Sequence, residues 1–346
     1  MPPWAIIPAV GRHLLSILLT AGVLSTGAGI EAGPAASGEP VRLSSRLRGE
    51  SVTLEVRDLP AGAGDEAVRA AFARLEELVE LLADGVERLN AGAEAERTVA
   101  VEPALADLLA RALEFCDWSQ AAHGPLGGSL KAYWDERARK RAPALAGDPS
   151  PAAPPAGLAE SAACDRLRLD PAAGRARIAA GTRVDLGGFA LGAAVDGAVD
   201  SLRAAGAADG RVQVGRVVRA FGPGPEGRGW PASLPVFEGY ERPPGDLHLR
   251  DRSLALVWRA DWPAEAPRHL DLRTGLPPDG VWATVAVAER AVDAQALAVA
   301  ALVLGAREGR FRSGTLEPEP SILWLLGRGT GRPLLMELNW SALRQP

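Results

Sequence analysis

The run Val184-Asp185-Leu186-Gly187-Gly188-Phe189-Ala190-Leu191-Gly192-Ala193-Ala194-Val195-Asp196 limits what this chain can fold into more than any other segment. An acidic residue, a glycine pair and a third glycine lead into apolar positions at helical spacing that continue to about Ala205. That pattern predicts a turn feeding a helix. Gly187 and Gly188 open backbone angles closed to other residues and let a ligand approach the main chain, while unpaired N–H groups at a helix start favour an anion. A tight turn with no ligand is built by the same pattern.

Strand and helix patterns alternate around this turn. Ser51 to Arg57 alternates apolar and polar residues, as a strand with one buried face does. From Glu66 to Leu89, the residues Val68, Ala71, Phe72, Leu75, Leu78 and Leu81 fall at helical spacing, which predicts a scaffold helix with a solvated charged face. A second helix is predicted from about Pro103 to Ala121, with Leu105, Leu108, Leu109 and Leu113 inward. Arg137, Arg139, Lys140 and Arg141 read as a solvated basic face, followed by a Pro-rich connector over about 142–157. Arg166 to Val184 reads as a hairpin turning at Asp170-Pro171-Ala172-Ala173-Gly174. Beyond the central helix, Arg211 to Phe221 reads as one strand, Leu247 to Trp258 as two short ones and Trp282 to Val287 as another. Ala291 to Leu304 reads as an alanine-rich helix, and Ser321 to Trp324 with Leu334 to Glu337 as a closing hairpin.

Taken in order, these segments resemble the FAD:protein FMN transferases, the ApbE-type family once called thiamine-biosynthesis lipoproteins. The central run is similar to the family's DLGGIAKGYAVD segment. Arg48-Gly49-Glu50 before Val52 to Val56, Arg88-Leu89-Asn90, Pro125 through Trp134, Asp271-Leu272-Arg273-Thr274-Gly275, Gln295 to Ala300 and Val303-Leu304-Gly305 follow in the family's order. The resemblance covers roughly residues 45–310. It implies an α+β fold of two lobes, with mixed or antiparallel sheets flanked by helices around a central cleft.

The resemblance also implies a site. Such enzymes split FAD at its pyrophosphate and move FMN to a threonine of a carrier protein, which needs charge on the phosphates, a base and a dinucleotide cradle. Asp185, Gly187, Gly188, Gly192, Asp271 and Thr274 match as flavin-binding positions, Asp271 and Thr274 reading as a turn kept for its shape. The family's phosphate-facing lysine is Leu191, and Arg48 is the nearest substitute. The expected base position holds Arg268, with His269 one place away as the catalytic candidate. The magnesium pair falls on Gln295 and Val299, which offer one neutral carbonyl between them and argue against the metal. The aspartate and threonine of a flavin-lining turn are Gly124 and Leu126, beside His123, a lone loop histidine. Leu126, Leu191, Val299 and Leu256-Val257-Trp258 stand where the family is polar, and together they predict a cleft filled by apolar side chains.

The N-terminus and the cysteines bear on location. Arg12 and His13 precede the apolar run Leu14 to Leu24 and small residues to Gly29, the shape of a secretory signal over 1–29, with an uncleaved anchor as the alternative. Residues 30–44 read as a spacer, and 45–346 as the folded domain. Cys116, on an apolar helical face, suits a buried thiol, while a disulfide with Cys164 suits an exported chain. A net charge of −5 and a pI near 5.6 give no general attraction to nucleic acid or anionic lipid. Membrane contact is therefore expected only through an uncleaved signal.

The changed positions predict an exported, periplasmic or extracytoplasmic, family member that is inactive or impaired. It would keep weak binding of FAD or another ligand, or an interaction role toward a flavin carrier or an exported redox protein. The competing expectation is a working magnesium-dependent transferase with Asp185, His269 and Asp293 in shifted roles.

Overall fold

In the computed structural model the described residues are 40–59, 62–140, 153–155, 157–234, 247–259, 266–327 and 334–340. The signal segment 1–29, Arg141 and most of the Pro-rich connector lie outside them. The first strand, β1 (Val41–Leu47), begins inside the stretch read as spacer. It turns through Arg48 and Gly49, both at positive φ, into β2 (Glu50–Arg57).

Helix α1 (Ala63–Glu94) follows, burying Val68, Ala71, Phe72, Leu75, Leu78 and Leu82 along one face. After β3 (Val99–Ala100), helix α2 (Pro103–Trp118) stops short of the predicted Ala121. Gln120 and Ala121 adopt positive φ and turn the chain back. Helix α3 (Gly128–Lys140) has no counterpart in the sequence reading, because Leu130 and Trp134 are its only buried residues and leave almost no periodic signal. The predicted hairpin is β4 (Leu167–Asp170) with β5 (Arg175–Ile178), which joins β3 in a small three-stranded sheet. Cys116 and Cys164 form a disulfide across this region.

Helix α4 (Ala190–Ala204) leads to β6 (Asp209–Val214) and β7 (Val217–Phe221). The single strand expected from Arg211 to Phe221 is thus a hairpin, folded at Gly215 (φ 53°) and Arg216. Alternation on both sides of the turn hid it from a period-two reading. Next come β8 (Trp230–Ala232), β9 (Leu247–Leu249), β10 (Arg252–Trp258) and β11 (Val281–Ala288). Helix α5 (Ala291–Ser313) runs past the expected Leu304, its backbone broken at Gly305 (φ 72°), and β12 (Ser321–Leu326) with β13 (Leu334–Leu338) close the described chain. No helix among the described residues is long and apolar enough to cross a membrane.

One eight-stranded sheet, in the order β1-β2-β6-β7-β10-β11-β12-β13, carries the molecule, and every pairing in it is antiparallel. Its two faces follow the strand period. Ala286 and Ala288 of β11 with Ile322 and Trp324 of β12 face α1, α4 and α5, while Ala283, Val285, Val287, Leu323 and Leu325 face Trp230, Leu247, Leu249 and Trp340. The first half of α5 is buried on nearly every side, which explains its alanines: small side chains let α4 and the sheet approach together.

Asp196 on α4 fastens this packing. Its carboxylate accepts the Ala291 N–H at 2.8 Å and the Val292 N–H at 3.1 Å, capping α5 from a neighbouring helix, and takes Arg219 Nη1 of β7 at 2.7 Å. Asp196→Ala leaves Arg219 without its buried partner and orphans two N–H groups. We expect a loss of about 3–5 kcal/mol in urea denaturation, against less than about 1 kcal/mol for Asp200→Ala, whose exposed carboxylate reaches Arg219 only at 4.0 Å.

Candidate functional site

The glycine turn ahead of α4 is held from three directions. Asn90 of α1 accepts the Val184 N–H at 2.7 Å and donates to the Val184 carbonyl at 3.2 Å, and the Asp185 N–H reaches the Pro125 carbonyl at 2.8 Å. The Asp185 carboxylate accepts the Gly187 N–H at 2.9 Å and Lys131 Nζ at 3.0 Å. Burial raises its pKa, but Lys131 and the Gly187 N–H outweigh that and hold it below the usual carboxylate range. From α5, Gln295 closes the turn: its Oε1 accepts the Gly192 N–H at 2.7 Å and its Nε2 donates to the Gly187 carbonyl at 3.0 Å.

The glycines themselves serve contacts other than the expected ones. None of Gly187, Gly188 and Gly192 has a positive φ. A Cβ on Gly188 would lie 2.5 Å from His123 Cε1, and one on Gly192 would lie 2.5 Å from the Ala291 carbonyl oxygen. Space predicted for a ligand at Gly188 holds an imidazole of the chain itself, and Gly192 sets the distance between α4 and α5. Gly187 alone of the three is exposed to the cleft.

His123 is correspondingly a buried residue, where the sequence reading has a surface loop. Its ring stacks on Phe189 with centroids 4.7 Å apart, its backbone is tied to Ser119 Oγ, and its Nε2 has no hydrogen-bond partner. Burial lowers its pKa to about 3. His269, partly buried at the cleft wall, is lowered to about 3 by burial, with His123 and Lys131 adding to the effect and Asp185 opposing it. Both rings are neutral near pH 7.

Lys131, Glu50, Gly187, Arg216, Arg268 and His269 line a cleft of about 150 Å³, with Leu191, Leu256, Val257, Trp258 and Val299 as its apolar walls. That is below the roughly 300–1,000 Å³ of drug-sized pockets. Leu126 belongs to the main core instead of the cleft. Lys131, paired with Asp185, brings a cation to the cleft wall, and Arg48, in its hairpin turn, is not among the lining residues. The sequence signal for Lys131 was available but slight: it sits between Leu130 and Trp134, the two residues that anchor α3.

Other candidates lie apart. Asp271 binds the Arg273 backbone and guanidinium, and Thr274 Oγ1 accepts the Leu276 N–H at 3.2 Å, so both shape their own turn and neither lines the cleft. That turn is docked by the Leu272 N–H on the Ala122 carbonyl and by Trp134 Nε1 on the Gly275 carbonyl. Asp293 pairs with Arg111 at 2.7 Å and lines a different cavity, so it does not join Asp185 and His269.

These donors do not fit magnesium. Both ends of the Gln295 amide are already bonded, Val299 has no donor, and no group of three or more metal-ligating side chains is assembled among the described residues.

The neutral histidines set an acid limb of stability. An unfolded histidine binds its proton near pH 6.5 and folded His123 only near pH 3, so the unfolded state takes up the extra proton as pH falls through that window. Denaturation midpoints between pH 7 and 4.5 are expected to show a loss approaching about 1.4 kcal/mol per pH unit from His123, with a further part from His269. His123→Leu should flatten that slope, and an unchanged slope would contradict the burial of a neutral ring.

Residues 49–312 match the model of the ApbE family. Solved structures are similar over nearly the whole chain. The flavinyl transferase ApbE of Pseudomonas stutzeri, apo form, is 18% identical with a TM-score of 0.71, covering 89% of this chain and 97% of that one. The ApbE protein of Thermotoga maritima is 20% identical with a TM-score of 0.72, covering 89% and 100%. The flavin transferase ApbE of Vibrio cholerae is 18% identical with a TM-score of 0.71, covering 88% and 97%. No curated protein sequence matches the chain. The family match spans most of the sequence and the antiparallel α+β fold agrees with it: the chain belongs to the ApbE family.

Proposed function

We propose that this chain is an exported, non-catalytic member of the flavin-transferase family, a binding or interaction module for a flavin carrier or another exported redox protein. The observation that carries the reading is the Gln295 clasp. An amide whose oxygen and nitrogen are both spent on Gly192 and Gly187 replaces an anionic oxygen that would face a metal. The turn is thereby closed by hydrogen bonds, and no free oxygen is left on Gln295 to hold a metal ion against a pyrophosphate. The small apolar-walled cleft supports the same reading, since FAD is larger than the space between these side chains. Export is supported by the signal-like run in the sequence and by the Cys116–Cys164 disulfide, a bond that persists in oxidising compartments.

Incubation of the mature chain with FAD and magnesium is expected to release no AMP above a heat-killed control. Metal-dependent AMP release from the unaltered chain would end the proposal. The double variant Gln295→Asp, Val299→Thr opens the clasp and restores the oxygen pair, and its thermal midpoint should rise with magnesium where that of the parent does not.

A further inference from the structure

A second groove, of about 240 Å³, lies across α5 from the cleft. Gln295 and Val299 line the cleft, whereas Asp293 and Leu297, each two positions away and so on the opposite side of the helix, line the groove. Its floor is apolar: Phe115 and Trp118 of α2 meet edge to face with centroids 5.7 Å apart, and Leu297 and Leu316 complete it. Trp118 Nε1 donates to the Arg312 carbonyl at 3.2 Å, which holds the indole in place. The rim is acidic, with Glu289, Glu317 and Glu319 exposed. None of these three, nor Arg252, which also lines the groove, has an ion pair with another described residue. Arg111 shows how this surface receives a guanidinium. It lies 5.0 Å over the Phe115 ring and is bonded to Asp293 at 2.7 Å and to Glu114. With Arg111 held by those two carboxylates, three acids remain against Arg252, and the described residues leave the groove an excess of negative charge. Pro318 and Pro320 fix φ on either side of Glu319, so little chain freedom is lost when its carboxylate is engaged.

We propose that this groove docks an arginine presented by a partner protein, its guanidinium among Glu289, Glu317 and Glu319 and its stem on Trp118 and Leu316. An arginine carries both parts that the groove matches, an apolar stem for the floor and a positive charge for the rim. The same rim repels an acidic partner surface. This deepens the interaction reading and rests on it, because it gives the chemistry of the partner's contact surface.

The test is titration of the full mature chain with an end-blocked pentapeptide of alternating leucine and arginine, and with the same peptide carrying glutamine for arginine. Calorimetry and the Trp118 indole resonance are the readouts. The arginine peptide is expected to bind about tenfold or more tightly, and most of that lead should vanish in about 1 M salt, where the Debye length is about 3 Å. The double variant Glu317→Gln, Glu319→Gln should remove the lead at low salt, while Glu80→Gln, Glu87→Gln, an equal change of charge at residues that do not line the groove, should keep it. Equal affinity for the two peptides, or an equal loss in the two double variants, would overturn the proposal. So would arginine amide binding as tightly as the peptide, which marks a site for a free cation, or a dimer that Glu317→Gln, Glu319→Gln dissolves, which makes the occupant a second copy. The peptide comparison uses the unaltered chain, so it stands even where a variant fails to fold. AMP release bears only on the absence of transferase chemistry, so the two ideas fail by different measurements.

Discussion

The carboxylate of Asp196 is the interaction on which the remaining geometry depends. It caps α5 from α4 and anchors Arg219 of β7, so two helices and a strand of the large sheet meet at one buried charge. With α5 fixed by its first turn, Gly192 lies on the Ala291 backbone and Gln295 is brought beside the glycine turn. The cleft is therefore a by-product of a helix-packing solution. Leu191 of α4 and Gln295 and Val299 of α5 form one wall, and β10 with Lys131 of α3 and the Arg268–His269 segment form much of the rest.

Much of the fold is visible in residue spacing. The central turn, the helix beginning at Ala291, the hairpin before the turn and the closing strands are each written in a long periodic pattern or a strong turn signal. What escaped was local and non-periodic. Helix α3 buries only two residues, so the helix that carries Lys131 had no periodic pattern to announce it. The β6–β7 hairpin turns on one glycine between two alternating runs, with no Asn or Asp to mark it. His123 read as a surface residue because nothing in its neighbours says that Phe189, more than sixty positions later, will stack on it. Partners distant in sequence leave no mark on a single chain read in order.

The glycines of the central run carry a further lesson. A glycine selected so that a phosphate can approach and a glycine selected so that another side chain can approach look alike in sequence. In this chain Gly188 admits His123 and Gly192 admits a helix backbone, so packing alone accounts for both glycines. The same holds for Gln295. One side-chain amide satisfies two main-chain groups across 103 and 108 positions of sequence, joining α5 to the glycine turn.

The bond between Cys116 and Cys164 closes a loop with a sequence separation of 48. That loop contains His123, packed behind the glycine turn, and the whole of α3 with Lys131 of the cleft wall, so both lie within one covalent ring. Cross-linking restricts the chain chiefly where it is unfolded, by about 4 kcal/mol for a loop of this length. An oxidised chain that loses its helices still keeps these residues threaded near one another, and it re-forms this wall with much of the search already done.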